Sequence, residues 1–248
     1  MVSASLLIIG DEILSGRTQD KNTAYIAAWL NEAGIQLAEV RIVQDIQDDI
    51  AAAVNAMRAR FDYVFTTGGI GPTHDDITAE SIAAAFGLPL TTHPEAYQIL
   101  SKYYGAEDFT AVRQRMSNTP EGAQLIDNPV SIAPGFQVEN VFVMAGVPKI
   151  MQAMLEALRP RLKTGRKIWS QSLTIHAPES KMAGKLGEIQ ERFEGVSLGS
   201  YPYFRDGKIG TQIVVRSANK ALIGDAMALL EDYCAAEEHN HEDRAEII

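Results

Sequence analysis

A glycine-rich segment followed by two neighbouring carboxylates is the part of this sequence best suited to chemistry. It reads TTGGIGPTHDDIT over residues 66–78 and comes directly after the apolar residues 63–65. Three glycines within four positions let the main chain turn sharply and approach a ligand closely. Free amides at the start of the next helix favour an anion, and carboxylates can hold a divalent cation against a phosphate. The segment therefore predicts a binding site for a phosphorylated small molecule.

Further acidic residues follow the first two predicted strands. Asp11 and Glu12 come after Gly10 at the end of one buried strand, and Asp45 follows the next. Because the carboxyl ends of parallel strands meet at one edge of a sheet, we expect these acids to lie beside Asp76. Carboxylates with Mg²⁺ or a similar hard cation can neutralise a diphosphate and orient an attacking water.

These considerations give a set of candidate residues for each role. The predicted catalytic residues are Asp76 and Asp45. The predicted metal ligands are Asp11, Asp75 and Asp76. The predicted ligand-binding residues are Gly10, Asp11, Glu12, Thr67, Gly68, Gly69, Gly71, Pro72, Thr73 and Thr78.

Simpler interpretations remain open for several of these residues. An aspartate before a helix often caps it, so either Asp75 or Asp76 could serve only as a cap. Thr78 could bind phosphate or cap the same helix, and Asp11 and Glu12 could be solvated loop acids. A plain tight turn is the alternative for the glycines, although one turn seldom needs three of them.

Strands and helices alternate over the first 90 residues. The hydrophobic pattern predicts strands at 5–9, 38–43 and 62–66, with helices at 22–33, 48–60 and 76–86. Later runs predict a helix at 94–104, a strand at 141–144 and a helix at 149–162. This order predicts an α/β fold in which helices cover both faces of a mostly parallel sheet.

The periodicity changes after a polar, glycine-containing linker at 163–166, which predicts domains at 1–165 and 166–248. The second domain has predicted strands at 168–176, 196–203 and 210–217 and helices at 179–193 and 220–235. This order predicts a small α+β module similar to a KH-type fold. Its Gly184–Gly187 segment has the GXXG spacing of KH loops that bind RNA. Apolar residues keep helical spacing through it, so we interpret it as helix, with RNA binding as the weaker alternative.

The composition narrows the possible partners. The chain carries 22 basic and 32 acidic side chains, which disfavours nucleic acid because binding it depends on Lys and Arg. Cys234 is the only cysteine, so no intramolecular disulfide can form, and its apolar surroundings predict a packing role. The apolar run 6–9 is too short for a signal peptide or a membrane span. We expect a cytoplasmic protein that binds neither nucleic acid nor membrane, with a polar tail after residue 237 that frays.

Three segments together resemble a known family. GDEILSG at 10–16, DKNT at 20–23 and the glycine-rich segment at 68–78 are similar to motifs of the molybdopterin-binding domain. That domain occurs in molybdenum-cofactor biosynthesis proteins and in the N-terminal half of the competence/damage-inducible protein CinA. The CinA branch is the closer match, because later segments resemble its motifs in the same order: 120–123, 133–136, 146–148 and 198–202.

The resemblance implies a three-layer α/β/α fold and adds Asn22 to the ligand-binding residues. It also implies metal-dependent hydrolysis of a nucleotide diphosphate such as ADP-ribose, with Mg²⁺ or a similar divalent cation. The alternative is a non-catalytic module that binds molybdopterin or a nucleotide. Glycine amides and acids recognise phosphate and metal rather than a ring, so the sequence leaves pterin and adenine nucleotide both open. Relatives commonly self-associate, and we expect a homo-oligomer.

Overall fold

The structure is a computed structural model that describes residues 2–205 and 207–247. The chain forms two compact units, which divide between Gly165 and Arg166. No helix within the described ranges is long and apolar enough to cross a membrane.

The first unit alternates strands and helices as predicted. Its first half contains β1 (Val2–Ile9), α1 (Asp11–Leu14), α2 (Asn22–Glu32), β2 (Ile35–Val43), α3 (Gln47–Arg58), β3 (Tyr63–Thr67) and α4 (Thr78–Phe86). Its second half contains β4 (Leu90–Thr92), α5 (Pro94–Asp108), α6 (Ala111–Gln114), β5 (Asn118–Pro120), β6 (Gln124–Ile126), β7 (Gly135–Val138), β8 (Val141–Met144) and α7 (Pro148–Leu158).

A mostly parallel sheet forms the centre of this unit, with strands in the order β2-β1-β3-β8-β7-β6. β1 pairs in parallel with β2 and β3, and β3 pairs in parallel with β8. β7 runs antiparallel to both β8 and β6, while β4 and β5 pair in a separate small sheet. The predicted α/β fold with a mostly parallel sheet is therefore confirmed.

β1 contains four consecutive apolar residues, and this run explains why both faces of the sheet are covered. Leu6 and Ile8 pack into a core with α2 and α7, whereas Leu7 and Ile9 pack into a second core with α3 and α4. Successive side chains of a strand point to opposite faces, and all four of these are buried. Burial of each contributes about 1.5–3 kcal/mol. The resulting three layers fix the position of the sheet's carboxyl edge, where the loops emerge.

The second unit is a small α+β module. Its elements are β9 (Trp169–Ile175), α8 (Glu179–Arg192), β10 (Val196–Arg205), β11 (Lys208–Ser217), α9 (Lys220–Ala236) and β12 (Ala245–Ile247). The strands lie in the order β10-β11-β9-β12, and neighbouring strands are antiparallel. The apolar faces of α8 and α9 pack on this sheet through Met182, Ile189 and Leu230. The β-α-β-β-α-β order contains the predicted module and adds one strand to it.

That added strand corrects the expectation that the tail frays. β12 pairs with β9, with Ala245 opposite Ser172. Arg244 donates two hydrogen bonds to the Glu231 carboxylate on α9, from Nε at 2.6 Å and from Nη2 at 2.5 Å. A bidentate pair of this kind is both strong and geometrically specific. The polar tail is thus tied to the unit by ladder hydrogen bonds and an ion pair, which a hydrophobic pattern cannot reveal.

Two other predictions for the second unit are confirmed. Gly184 and Gly187 lie inside α8, which runs without interruption from Glu179 to Arg192. The GXXG spacing is therefore part of a helix and not a loop. Cys234 is fully buried in the core of the unit, and burial raises the pKa of its thiol, as suits a packing residue.

Candidate functional site

The loops that follow the parallel strands meet at the carboxyl edge of the sheet. The backbone N–H of Asp11 donates to Asp45 Oδ2 at 2.9 Å, across 34 residues of sequence. The N–H of Gly68 donates to the carbonyl of Met144 at 3.2 Å. The loops after β1, β2, β3 and β8 are thus joined by hydrogen bonds into one surface.

Gly68 stands where only glycine fits. Its φ is +108°, and a Cβ built on it would lie 2.1 Å from the carbonyl oxygen of Ile9. A Cβ on Gly146 would in turn lie 3.3 Å from the Cα of Gly68. The absence of a side chain therefore lets the ends of β1, β3 and β8 approach one another, so the plain-turn alternative is insufficient for this glycine.

Thr78 fixes the conformation of the glycine-rich loop through hydrogen bonds. Its side chain is fully buried, and its hydroxyl donates to the carbonyl of Gly68 at 2.9 Å. Its N–H donates to the carbonyl of Gly69 at 3.0 Å, and a Cβ on Gly69 would lie 2.3 Å from the Thr78 hydroxyl oxygen. Thr78 therefore braces the loop, a role different from the two considered for it, phosphate binding and helix capping.

Asp76 also acts within the loop. Its Oδ2 accepts hydrogen bonds from the N–H of Thr73 at 2.8 Å and from the Thr73 hydroxyl at 2.5 Å. A Cβ on Gly71 would lie 2.6 Å from the same oxygen. The residue that caps α4 is Ile77, with no capping hydrogen bond from a side chain. Neither Asp75 nor Asp76 is the N-cap, so the capping interpretation is wrong for both.

Asp45 lies near several other carboxylates at this edge of the sheet. Burial raises the pKa of Asp45, and the negative charges of Asp11, Glu12 and Asp75 raise it further. The hydrogen bond from the Asp11 backbone opposes this by favouring the ionised form. Asp11, Glu12 and Asp75 therefore lie close enough to Asp45 to influence its ionisation, whereas the position of these acids beside Asp76 stays a prediction. Within the described parts of the chain, however, no group of three or more His, Cys, Asp or Glu residues could hold a metal ion by itself.

The other predicted residues occupy the same edge in different ways. Gly10 donates its N–H to the carbonyl of Val43 at 3.2 Å, and Pro72 lines a cavity beside the glycine-rich loop. Asn22 is buried, and its Nδ2 donates to the carbonyl of Gly146 at 2.8 Å. Asp20, not Asn22, binds the start of α2, because its carboxylate accepts from the N–H of Asn22 at 2.9 Å.

A cavity of about 590 Å³ opens beside the glycine-rich loop. This size falls within the range of small-molecule pockets. Its lining includes Glu12, Asp76 and the glycines of the loop, together with Tyr104, Arg113 and Met116. The guanidinium of Arg113 stacks 4.4 Å from the centre of the Tyr104 ring. The cavity is thus lined by glycine main chain, carboxylates, a guanidinium and an aromatic ring.

Sequence reasoning missed Tyr104 and Arg113. Both lie in a stretch whose only signal is helical periodicity, and that pattern does not say which face meets a ligand. α5 continues beyond its predicted end through a non-helical residue, Gly105, with φ +73°. This kink accompanies the change of direction between Tyr104 and the α6 region that carries Arg113.

A tight loop forms a further wall of the cavity through Asn128, Ser131 and Ala133. Among the described residues, the Asn128 amide bonds within this loop, donating to the Ala133 carbonyl at 2.7 Å and accepting from the N–H of Val130 at 3.1 Å. Ile132 has φ +70°, a conformation that is unfavourable for a β-branched residue. The wall therefore contains a strained residue held by one buried amide.

Comparison with known proteins agrees with this fold. Residues 5–164 match the family model described as "Probable molybdopterin binding domain", and the chain belongs to that family. Residues 167–243 match the model described as "FAD synthase, middle domain". The family predicted from the glycine and acidic motifs is confirmed, whereas the relationship of the second unit was not foreseen.

Individual relatives place the chain in the CinA-like branch of the family. A CinA-like protein of Desulfosudis oleivorans is 36% identical over 209 residues, which cover 79% of this chain and 51% of that protein. A protein of Archaeoglobus fulgidus is 38% identical over 197 residues, covering 79% of this chain and 84% of the relative. The crystal structure of the protein CinA from Thermoplasma acidophilum, described as of unknown function, is 37% identical. It matches with a TM-score of 0.61, covering 64% of this chain and 96% of that chain.

Proposed function

We propose that the chain binds a nucleotide diphosphate in the 590 Å³ cavity and hydrolyses it with the help of a divalent cation. The observation that carries this proposal is the crowding of acids beside the glycine-rich loop. Asp45 is partly buried and interacts with the charges of Asp11, Glu12 and Asp75. Concentrated negative charge at a site with exposed main chain is the arrangement that a metal–diphosphate pair neutralises.

Different residues of the site would have different roles in binding and hydrolysis. Gly69 and Gly71 line the cavity, and their lack of side chains lets a phosphate approach the main chain. Arg113 supplies positive charge to the phosphates. Asp45 is oriented by the Asp11 backbone, and its raised pKa suits it to accept a proton from an attacking water. Asp76 keeps the loop in shape through Thr73 and contributes a carboxylate to the cavity.

The residues present fit a divalent cation that arrives with its substrate. Mg²⁺ is usually held by one or two carboxylates together with waters and substrate phosphates, so a closed cluster of protein ligands is unnecessary. Asp11, Asp75 and Asp76 are the residues that would hold it. When bound, such a cation neutralises phosphate charge and polarises the reacting oxygen.

The choice of substrate class follows from the cavity and from one further relative. A probable FAD synthase of Caenorhabditis briggsae is 27% identical over 241 residues, covering 87% of this chain and 46% of that protein. FAD, like ADP-ribose, contains an adenosine diphosphate. Tyr104 offers an aromatic surface on which adenine, flavin or pterin rings can stack. ADP-ribose and FAD are therefore the first substrates to test.

The test is turnover of ADP-ribose and FAD with Mg²⁺ and with a chelator, followed by chromatography of the products. We expect Asp45→Asn and Asp76→Asn each to lower kcat by about 100-fold or more. Asp225→Asn, an exposed acid on α9, is the matched control and should leave kcat unchanged. Full turnover in Asp76→Asn, or turnover unaffected by the chelator, would remove the proposed chemistry.

Binding without turnover is the second candidate function, that of a module carrying molybdopterin or a nucleotide. It is favoured by the commitment of Asp76 Oδ2 to Thr73, which leaves that oxygen less available for catalysis. Calorimetry distinguishes the two functions. Saturable binding with no product after long incubation with metals would support the binding module, and product formation would exclude it.

We further propose that the chain forms a homodimer by antiparallel pairing of β2 with β2 of a second copy. β2 lies at the edge of the sheet, and edge strands offer unpaired backbone groups. Val40 and Ile42 on this strand are 41% and 40% exposed. Pairing centred on Val40 sets Ala38 against Ile42 of the partner subunit and Glu39 against Arg41 of the partner subunit. The strand is therefore complementary to itself in both apolarity and charge.

The mass in solution tests this assembly by light scattering, because one chain has a mass of 27.1 kDa. Val40→Lys should give the monomer mass, whereas Ile209→Lys, at a more exposed apolar position in the second unit, should leave the dimer intact. Glu39→Arg should weaken the dimer, and adding Arg41→Glu should restore it. A monomeric wild type, or a dimer that persists in Val40→Lys, would exclude this interface.

A further inference from the structure

A second, smaller cavity lies next to the proposed diphosphate site. Its volume is about 70 Å³, and Asn22 and Thr67 are among its lining residues. We call it the side chamber. It shares part of its lining with the main cavity, namely Glu12, Thr18, Gly68, Gly146 and Pro148. A ligand in the main cavity therefore borders the side chamber.

Two buried polar groups on the side-chamber residues lack hydrogen-bond partners. Asn22 is 7% exposed and Thr67 is 1% exposed. Neither Asn22 Oδ1 nor Thr67 Oγ1 has a partner among the described residues. The Asn22 amide is already oriented, since its Nδ2 donates to Gly146. Buried groups of this kind are unfavourable unless something satisfies them, so they indicate a place for a polar part of a ligand.

The chemistry of the side chamber favours hydroxyl groups. Asn22 Oδ1 and the Glu12 carboxylate accept hydrogen bonds, and the Thr67 hydroxyl can both donate and accept. Asp20 and the exposed Lys21 also line the chamber, so its two carboxylates outnumber its one cation. A phosphate offers only acceptors and would meet Glu12, Asp20 and Asn22 Oδ1 unfavourably, whereas a hydroxyl can donate to them and accept from Lys21. A volume of about 70 Å³ has room for about two water-sized groups, each taking about 30 Å³. A bicyclic base is too large, whereas two neighbouring hydroxyls fit.

We propose that the side chamber recognises the vicinal hydroxyls of a ribose attached to the diphosphate in the main cavity. Asn22 Oδ1 accepts from one hydroxyl, and Thr67 Oγ1 bonds the other. This proposal rests on the proposed function and narrows its substrates to diphosphates that carry an intact ribose.

Calorimetry with analogues that cannot be hydrolysed tests the proposal. The probes are α,β-methylene ADP-ribose, α,β-methylene ADP and the 2′,3′-dideoxy form of the latter. In the wild type, affinity should fall by about three- to ten-fold at one step of this series, the worth of a hydrogen bond. That step identifies which ribose occupies the chamber.

Thr67→Val removes one of the two proposed contacts and keeps the side-chain shape, so the step should shrink by about three-fold while the protein folds normally. Thr66→Val is the matched control. Thr66 is also buried with an unpartnered hydroxyl, but as the preceding residue of β3 it points to the opposite face of the sheet. Thr66→Val should keep the step.

Each result decides the proposal. A step of undiminished size in Thr67→Val, or a wild type that binds all three analogues equally, overturns the side-chamber proposal and leaves diphosphate binding intact. Failure of every analogue to bind overturns the proposed function as well. Unfolding curves that match the wild type for both valine variants confirm that any change lies in binding.

Discussion

Two glycine segments of this molecule have opposite structural meanings. Gly68 and Gly69 adopt φ +108° and +64°, and a Cβ on either would collide with a neighbouring element. Gly184 and Gly187 lie inside α8, and a Cβ on either would meet nothing within 4 Å. The flanking residues account for the difference, because a strand and two acids surround the first segment and helical apolar spacing surrounds the second. Glycines alone identify no site; their neighbours do.

The largest effect that tests this contrast is expected for Gly68→Ala. The new methyl group would meet the Ile9 carbonyl oxygen at 2.1 Å, and this backbone atom cannot move without displacing β1. We expect a loss of about 3–5 kcal/mol in the free energy of unfolding of the first unit. Urea unfolding followed by fluorescence measures this, since Trp29 reports on the first unit and Trp169 on the second. A loss below about 1 kcal/mol would show that the loop is not rigidly packed.

Gly71→Ala should have an intermediate effect that appears in both stability and activity. The added Cβ would lie 2.6 Å from Asp76 Oδ2, so the carboxylate must move away from Thr73. We expect a loss of about 1–2 kcal/mol in unfolding free energy together with lower turnover of the diphosphate substrate. Unchanged turnover despite lower stability would separate Asp76 from the chemistry.

Gly184→Ala should have the opposite sign. Alanine is favoured over glycine inside a helix, and this position has space for its methyl group. We expect a gain of about 0.5–1 kcal/mol in unfolding free energy, measured through the fluorescence of Trp169. Destabilisation would mean that the segment needs glycine after all, and would revive the RNA-loop interpretation.

The smallest expected effect is a pH-dependent change in the stability of the second unit. Hydrogen bonds from Arg244 lower the pKa of Glu231 below its ordinary value of 4.5. A carboxyl whose pKa is lower in the folded state stabilises the fold above its unfolded pKa, and this stabilisation is lost as pH falls through the folded pKa. Arg244→Ala should therefore cost about 0.5 kcal/mol at neutral pH and almost nothing in strongly acidic buffer. Lys208→Ala, at an exposed position, should show no such dependence.

The parts predicted from the sequence are those with a local signal. The continuous apolar run Leu6–Ile9 predicts a strand buried on both faces, and strand order then predicts that Asp11 and Asp45 approach one another. The helix around Gly184 and Gly187 is likewise predicted by the helical spacing of the apolar residues from Ala183 to Phe193. In each case the residues that form the pattern are also the residues that pack.

The parts that escaped prediction depend on contacts distant in sequence. β12 is three residues long, which is too short to carry a periodic signal for its pairing with β9. Thr78 braces Gly68 because the loop folds back over it, which no spacing rule states. Tyr104 and Arg113 line the cavity on either side of the kink at Gly105, and helical periodicity does not predict that kink. Long-range packing, more than local preference, selects these roles.

Ile132 gives the cavity wall a property of its own. The hydrogen bonds of Asn128 hold this residue at an unfavourable φ, so the wall of the cavity contains backbone strain. The glycine-rich loop is held by a different set of contacts, those of Thr78. The wall of the cavity and the glycine-rich loop are thus fixed by separate hydrogen bonds, which substitutions can alter one at a time.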